Sequence, residues 1–187
     1  MADDPCPGCG GSFSSGPGPV HDYLESSPGC WRAFGELLAA DYASPERMAF
    51  HQLVVDAYAA QHPGSGDLPQ QLQSVGLHLM TLCLFLEHDV DPALGSGLHR
   101  RMVRRPTYRR LERSGPGALT LTHVPLAGVV AEVRSAAFAW AAAVWETYVA
   151  EHATVRTWLR ASGFEVVGEG AASELIEVDR DLAPGRE

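Results

Sequence analysis

Three features of the sequence predict an all-α fold, a helical bundle of four or more helices behind an irregular N-terminal knuckle. Apolar residues recur at alternating spacings of three and four in several windows, the period of one helix face. Ser-Pro pairs stand ahead of two of those windows, an N-cap followed by proline at the first helical position. The first 27 residues, by contrast, are rich in Gly, Ser and Pro, carry few apolar side chains and contain a Cys-Pro-Gly-Cys turn.

The elements follow in order. Ser27-Pro28 starts a helix running to about Tyr42, with Trp31, Phe34, Leu37, Leu38 and Tyr42 on its buried side. Ser44-Pro45 starts a second helix, whose seam Met48, His51, Val55, Tyr58 and His62 stops at Pro63-Gly64. A third helix from Pro69 or Gln70 to Glu87 turns apolar on nearly every face after Val75, which marks it as the central one. From Gly95 to Gly117 no period is visible; 118–124 alternates weakly, as a short strand or an extended crossing, and 125–133 reads as a short helix. The last clear element is one long helix from Ser135 to about Ser162, with the seam Phe138, Ala141, Trp145, Tyr148, His152, Val155 and Leu159, ended by Gly163.

Composition narrows the function classes. A chain of 187 residues with 45% hydrophobic side chains can bury one core. Net charge is −9, and all 14 basic residues are arginine, so a general nucleic-acid binder is excluded, as are lysine Schiff-base and P-loop chemistries. Arginine without lysine, with heavy Ala, Gly and Pro use, fits a GC-rich bacterial genome. The most apolar window, Val75 to Leu86, contains His78 and is too short to span a bilayer, so no membrane role is expected. The N-terminus has neither a positive start nor an apolar stretch, and a cytoplasmic location follows as the expectation.

In a reducing compartment four cysteines read as ligands or thiols before they read as disulfides. Two residues between Cys6 and Cys9 let both thiolates face one ion, and the glycines allow the tight backbone. His21 and Cys30 complete Cys-x2-Cys-x11-His-x8-Cys, the ligand count of a closed tetrahedral zinc site. An ion would also explain how a segment without a core becomes ordered. The predicted organisation is a zinc knuckle over 1–30, a helical bundle over 31–162 and an acidic tail over 163–187. Alternatives stay open: a redox CxxC, free cysteines, or His51 or a carboxylate in place of His21. Cys83, inside the apolar third helix, reads as a packed thiol.

His51, His78 and His152 fall on the core-facing stripes of three different helices. His51 and His62 share a face but lie about 16 Å apart along the axis, too far to hold one ion. If the second and third helices are antiparallel, His78 comes opposite Val54, within a turn of His51. The three imidazoles are therefore candidates for an open metal site or an acid–base pocket, set against three core histidines each satisfied by a hydroxyl or carbonyl. Asp56 points away from the His51 seam and suits a hydrogen bond from another helix.

Arg100, Arg101, Arg104, Arg105, Arg109, Arg110 and Arg113 concentrate half the basic residues in one short segment. It reads either as an anion-binding edge or, preferably, as a counter-surface for the acidic remainder of the chain.

The strings CPGCG, SPGCW, VDAYAAQHP and QSVGLHL, with Trp140, Trp145 and His152 after them, resemble a bacterial domain family of unknown function over roughly residues 6–160. The resemblance implies a helical protein with metal-type residues at Cys6, Cys9, His21, Cys30, His51, Asp56, His62 and His78. A coarser likeness, of architecture alone, is to four-helix metal enzymes that use three histidines. The leading expectation is a zinc-knuckled bundle whose histidine pocket performs metal-dependent or acid–base chemistry on a small-molecule substrate. The other is a non-catalytic interaction module stapled by zinc. Oligomeric state is not fixed by the sequence.

Overall fold

The computed structural model describes residues 3–102, 107–167 and 174–177. Of the expected tail, 168–173 and 178–187 lie outside the described residues, as do Arg104 and Arg105 of the arginine segment. The fold is mostly helical, with seven α-helices and two small hairpins among the described residues.

The knuckle opens with a hairpin, β1 (Asp3–Pro5) against antiparallel β2 (Ser12–Ser14), in which only Phe13 is buried. So little apolar surface cannot hold the segment, and the turn is knitted by backbone bonds instead. Cys6 N donates to Gly11 O at 2.8 Å and Gly10 N to Cys6 O at 2.8 Å, with Gly10 at φ 71°. β2 lies on α1 (Pro28–Tyr42) at Gly29, where a Cβ would sit 2.5 Å from Ser14 O. The expected cap is present: Ser27 Oγ accepts from Cys30 N, behind Pro28.

The expected second helix is two. α2 (Pro45–Met48) is one turn capped by Ser44, and α3 (His51–Gln61) restarts after Phe50, which is buried at φ −122°. The break lets Arg47 turn inward, donating to Asp41 Oδ1 at 2.9 Å and to the carbonyls of Pro125 and Leu126. α4 (Pro69–Glu87) is as expected, buried without interruption from Leu79 to Phe85. It packs along α3, and α6 (Val130–Glu146) touches both, so these three helices enclose the core around Tyr58, Trp140 and Tyr148.

A helix not visible in the sequence, α5 (Gly95–Met102), follows. Only Leu98 and Met102 of its non-glycine residues are buried, too few apolar positions to show a period. Residues 118–124 are not a strand; they hold a short 3-10 turn, Leu121–His123. α6 (Val130–Glu146) begins within the segment expected as a separate short helix.

The expected long helix to Ser162 is interrupted, and α7 (His152–Ala161) is separate from α6. Thr147 spends its hydroxyl on Val144 O at 2.7 Å, and its carbonyl accepts from Ser114 N at 2.8 Å instead of continuing a helical ladder. Tyr148 then inserts, its hydroxyl donating to Ala60 O at 2.8 Å. Beyond Gly163, β3 (Phe164–Val167) pairs antiparallel with β4 (Glu174–Glu177). No described helix is long and apolar enough to cross a membrane.

Candidate metal centre

Cys6 and Cys9 come from the turn, Cys30 from the first turn of α1, and the fourth group is His62, which caps the C-terminus of α3. All four are buried, and their ligand atoms lie within 4.8 Å of one another. Cys9 Sγ is 3.9 Å from Cys30 Sγ, and His62 Nε2 is 3.3 Å from Cys30 Sγ. Tetrahedral bonds of about 2.3 Å to sulfur and 2.0 Å to nitrogen separate such ligand atoms by about 3.5–3.8 Å. The four residues are thus buried and close enough to hold a metal ion.

The supporting contacts fit the same role. His62 Nδ1 lies 2.7 Å from Tyr58 O, which accepts its hydrogen and leaves the Nε2 lone pair facing the thiols. Ser27 N donates to Cys6 Sγ at 3.5 Å, and Tyr58 Oη lies 3.5 Å from Cys30 Sγ. The Tyr58 ring stacks on Phe34 and on His62, closing one side of the cluster. Gly8 is required here, because a Cβ would meet Glu25 O and His62 Cδ2 at 2.5 Å each. Arg113 ties the turn to α3, donating to Gly8 O at 2.9 Å and Gln61 O at 2.6 Å.

The thiols alone share one negative charge poorly. Hydrogen bonds from Cys30 and Cys9 push the Cys6 thiol far down, and the same contact with Cys6 pushes Cys30 far up. Cys30 draws Cys9 down, but Cys6 and burial outweigh it and leave Cys9 at about 11. A divalent cation, if bound, would let three buried sulfurs ionise together.

His21 is not in the cluster. Its Nδ1 accepts from Tyr23 N at 3.1 Å and its ring lies against Tyr23 and Trp31, so the position expected of it is taken by His62. The spacing of the four clustered residues is therefore Cys-x2-Cys-x20-Cys-x31-His. Spacing could not reveal a ligand so distant; the one signal for His62 was its place among the marked positions of the resembled family.

The three seam histidines are not brought together. Each has its own partner: His51 Nδ1 is 3.2 Å from Asp41 Oδ2, His78 Nδ1 is 2.7 Å from Asp56 Oδ1, and His152 Nε2 is 3.1 Å from Trp145 O, with Glu87 Oε1 3.9 Å from its Nδ1. The break between α6 and α7 is one cause, since it lets His152 stack on Trp145 instead of crossing at the level of His78. His78, on α4, meets α3 at Asp56, its partner there. His99, on the unforeseen α5, joins them at 3.3 Å from Asp56 Oδ1. Burial pushes the Asp56 carboxyl up, but the two imidazoles prevail and hold it at about 2. Cys83 is buried as expected, 3.5 Å from Glu87, whose two oxygens are taken by Arg156.

Three arginines of the segment, Arg109, Arg110 and Arg113, are spent within the chain. Arg109 pairs with Glu151, and Arg110 binds Asp67 and the carbonyls of Gly64, Ser65 and Gly66. Comparisons with curated proteins and with solved structures found no match. A family model does match, over residues 4–149, a span holding all four clustered ligands, Asp56, His78 and His99; the chain belongs to this family of unknown function, DUF5946.

Proposed function

We propose that the protein is a zinc protein in which Cys6, Cys9, Cys30 and His62 hold one structural ion that staples the knuckle to the bundle. The observation that carries this is the buried three-sulfur, one-nitrogen set with the imidazole already fixed by Tyr58 O. Soft thiolates with one imidazole favour zinc, and four protein ligands leave no position for a substrate. Cysteines serving as metal ligands and not as disulfides suit a reducing compartment, which supports a cytoplasmic location.

Cobalt substitution tests the assignment. One equivalent should give the intense sulfur-to-cobalt absorption of a thiolate site, lost in Cys30→Ser. Absence of that band, or its survival in Cys30→Ser, overturns the reading.

A closed centre favours the non-catalytic interaction module. The enzyme reading, metal-dependent or acid–base chemistry on a small molecule, is supported by a separate observation: the buried Asp56 beside the part-exposed His78 and His99.

A further inference from the structure

We propose that Asp56, His78 and His99 form a second metal site, for a divalent first-row transition ion with open coordination positions. The three residues come from α3, α4 and α5, and their ligand atoms lie within 4.8 Å of one another. His78 Nδ1 and His99 Nε2 stand 2.7 and 3.3 Å from Asp56 Oδ1. Ligand atoms on one ion with bonds of about 2.1 Å stand roughly 3.0–3.4 Å apart, which the His99 separation matches and which the hydrogen-bonded His78 pair would reach by opening a few tenths of an ångström.

The hydrogen bonding around Asp56 is lopsided in a way an ion explains. Asp56 is wholly buried, and Oδ1 is approached by Gln52 Nε2 at 2.8 Å as well as by both imidazoles. Oδ2, equally buried, has no hydrogen-bond partner. A carboxylate shares donors between two oxygens, each with about two lone pairs. Two imidazole nitrogens gathered on one oxygen, with the other left bare, suit a cation held between that oxygen and the nitrogens, while the Gln52 amide is a donor that orients the carboxylate. Thr81 Oγ1 adds a neutral donor atom. It lies 3.0 Å from His99 Nε2 and gives its own hydrogen to the carbonyls of Leu77 or His78, so a lone pair faces the same space.

The site is supported and accessible. Ser96 Oγ donates to Gln52 Oε1 at 3.0 Å, which turns the Gln52 amide nitrogen toward Asp56. The side chains of His78 and His99 keep 16% and 20% exposure, so solvent or a small anion can reach the remaining positions. Two imidazoles and one carboxylate select a transition ion over calcium or magnesium. This site is independent of the structural zinc: no residue is shared.

Cobalt titration of untagged protein, followed by absorption and by metal analysis, separates the two. Two ions per chain are expected, one with the sulfur-to-cobalt band and one without. His99→Gln and His78→Gln should each bind one ion fewer and keep the band, which also reports that the bundle and knuckle have folded. A single ion that carries the band in the wild type overturns the proposal, and so do two ions in both folded variants. Should the variants fail to fold, the wild-type stoichiometry decides alone. A single ion without the band would instead remove the structural zinc and leave the second site standing.

Discussion

Tyr58 O accepts the Nδ1 hydrogen of His62 at 2.7 Å, one helical turn away. The bond joins the His62 backbone N–H on the same carbonyl at the end of α3, fixes the imidazole tautomer and directs Nε2 to the three sulfurs. Helix termination and ligand orientation are thus one structural event. It also decides between two histidines that sequence spacing alone ranks the other way.

His62→Ala should lose stoichiometric metal, and with it several kcal/mol of stability, since ion binding and folding of such a segment are coupled. His21→Ala should keep one ion per chain, because that ring meets only Tyr23 and Trp31. Metal analysis of the two purified variants checks this. Equal retention, or the opposite order, contradicts the ligand set.

Gly8→Ala tests the fit of the turn against α3. The added methyl would stand 2.5 Å from both Glu25 O and His62 Cδ2, so the turn or the imidazole must move. A displaced support of this kind weakens metal affinity by about 10–100-fold. Competition with a chromophoric chelator would read the change. Gly35→Ala, on the exposed face of α1 with nothing within 4 Å, should leave affinity unchanged.

What the sequence disclosed depended on how local the governing interaction was. Ser27-Pro28 and Pro69 set helix starts through contacts within one turn, and both starts stand where expected. Cys6, Cys9 and Cys30 were legible because a short loop and a helix start bring them near one another. His62 was not, since only the packing of α1 against α3 carries it there. The same holds for the break at Thr147, which depends on Ser114 crossing from a distant segment, and for α5, which has two buried apolar side chains and is placed by its neighbours. Asp56 was read correctly as a partner for another helix, while His99 had no period to announce it.

Glu87 gives a pH dependence whose sign can be fixed. Burial pushes its carboxyl up, but hydrogen bonds from Arg156, Cys83 and Trp145 overcome this and hold it below the ordinary value. A carboxyl depressed on folding stabilises above its unfolded value of about 4.3, and the contribution fades as pH falls through the folded value. Because Arg156 is 45% exposed, screening limits the effect. Glu87→Gln should cost about 1–2 kcal/mol near neutral pH. Urea melts of both proteins should show that difference shrinking below about pH 4. A pH-independent gap would mean that packing, not charge, is what Glu87 supplies.

Removal of the ion should act on one part of the chain only. Residues 3–27 bury Cys6, Cys9 and Phe13 and little else that is apolar, whereas α3, α4 and α6 enclose a core without help from the knuckle. Hydrophobic burial therefore sustains the bundle, and the ion with its four ligands sustains the N-terminal segment. Treatment with a strong chelator under reducing conditions should leave most of the helical circular dichroism and expose the segment before Pro28 to protease. Zinc, added back, should restore protection at about one equivalent. The order of events carries the argument: cleavage near Phe13 or Tyr23 ahead of any loss of helix assigns the ion to the knuckle. Simultaneous loss of both would show that the ion holds the bundle as well, through His62 at the end of α3.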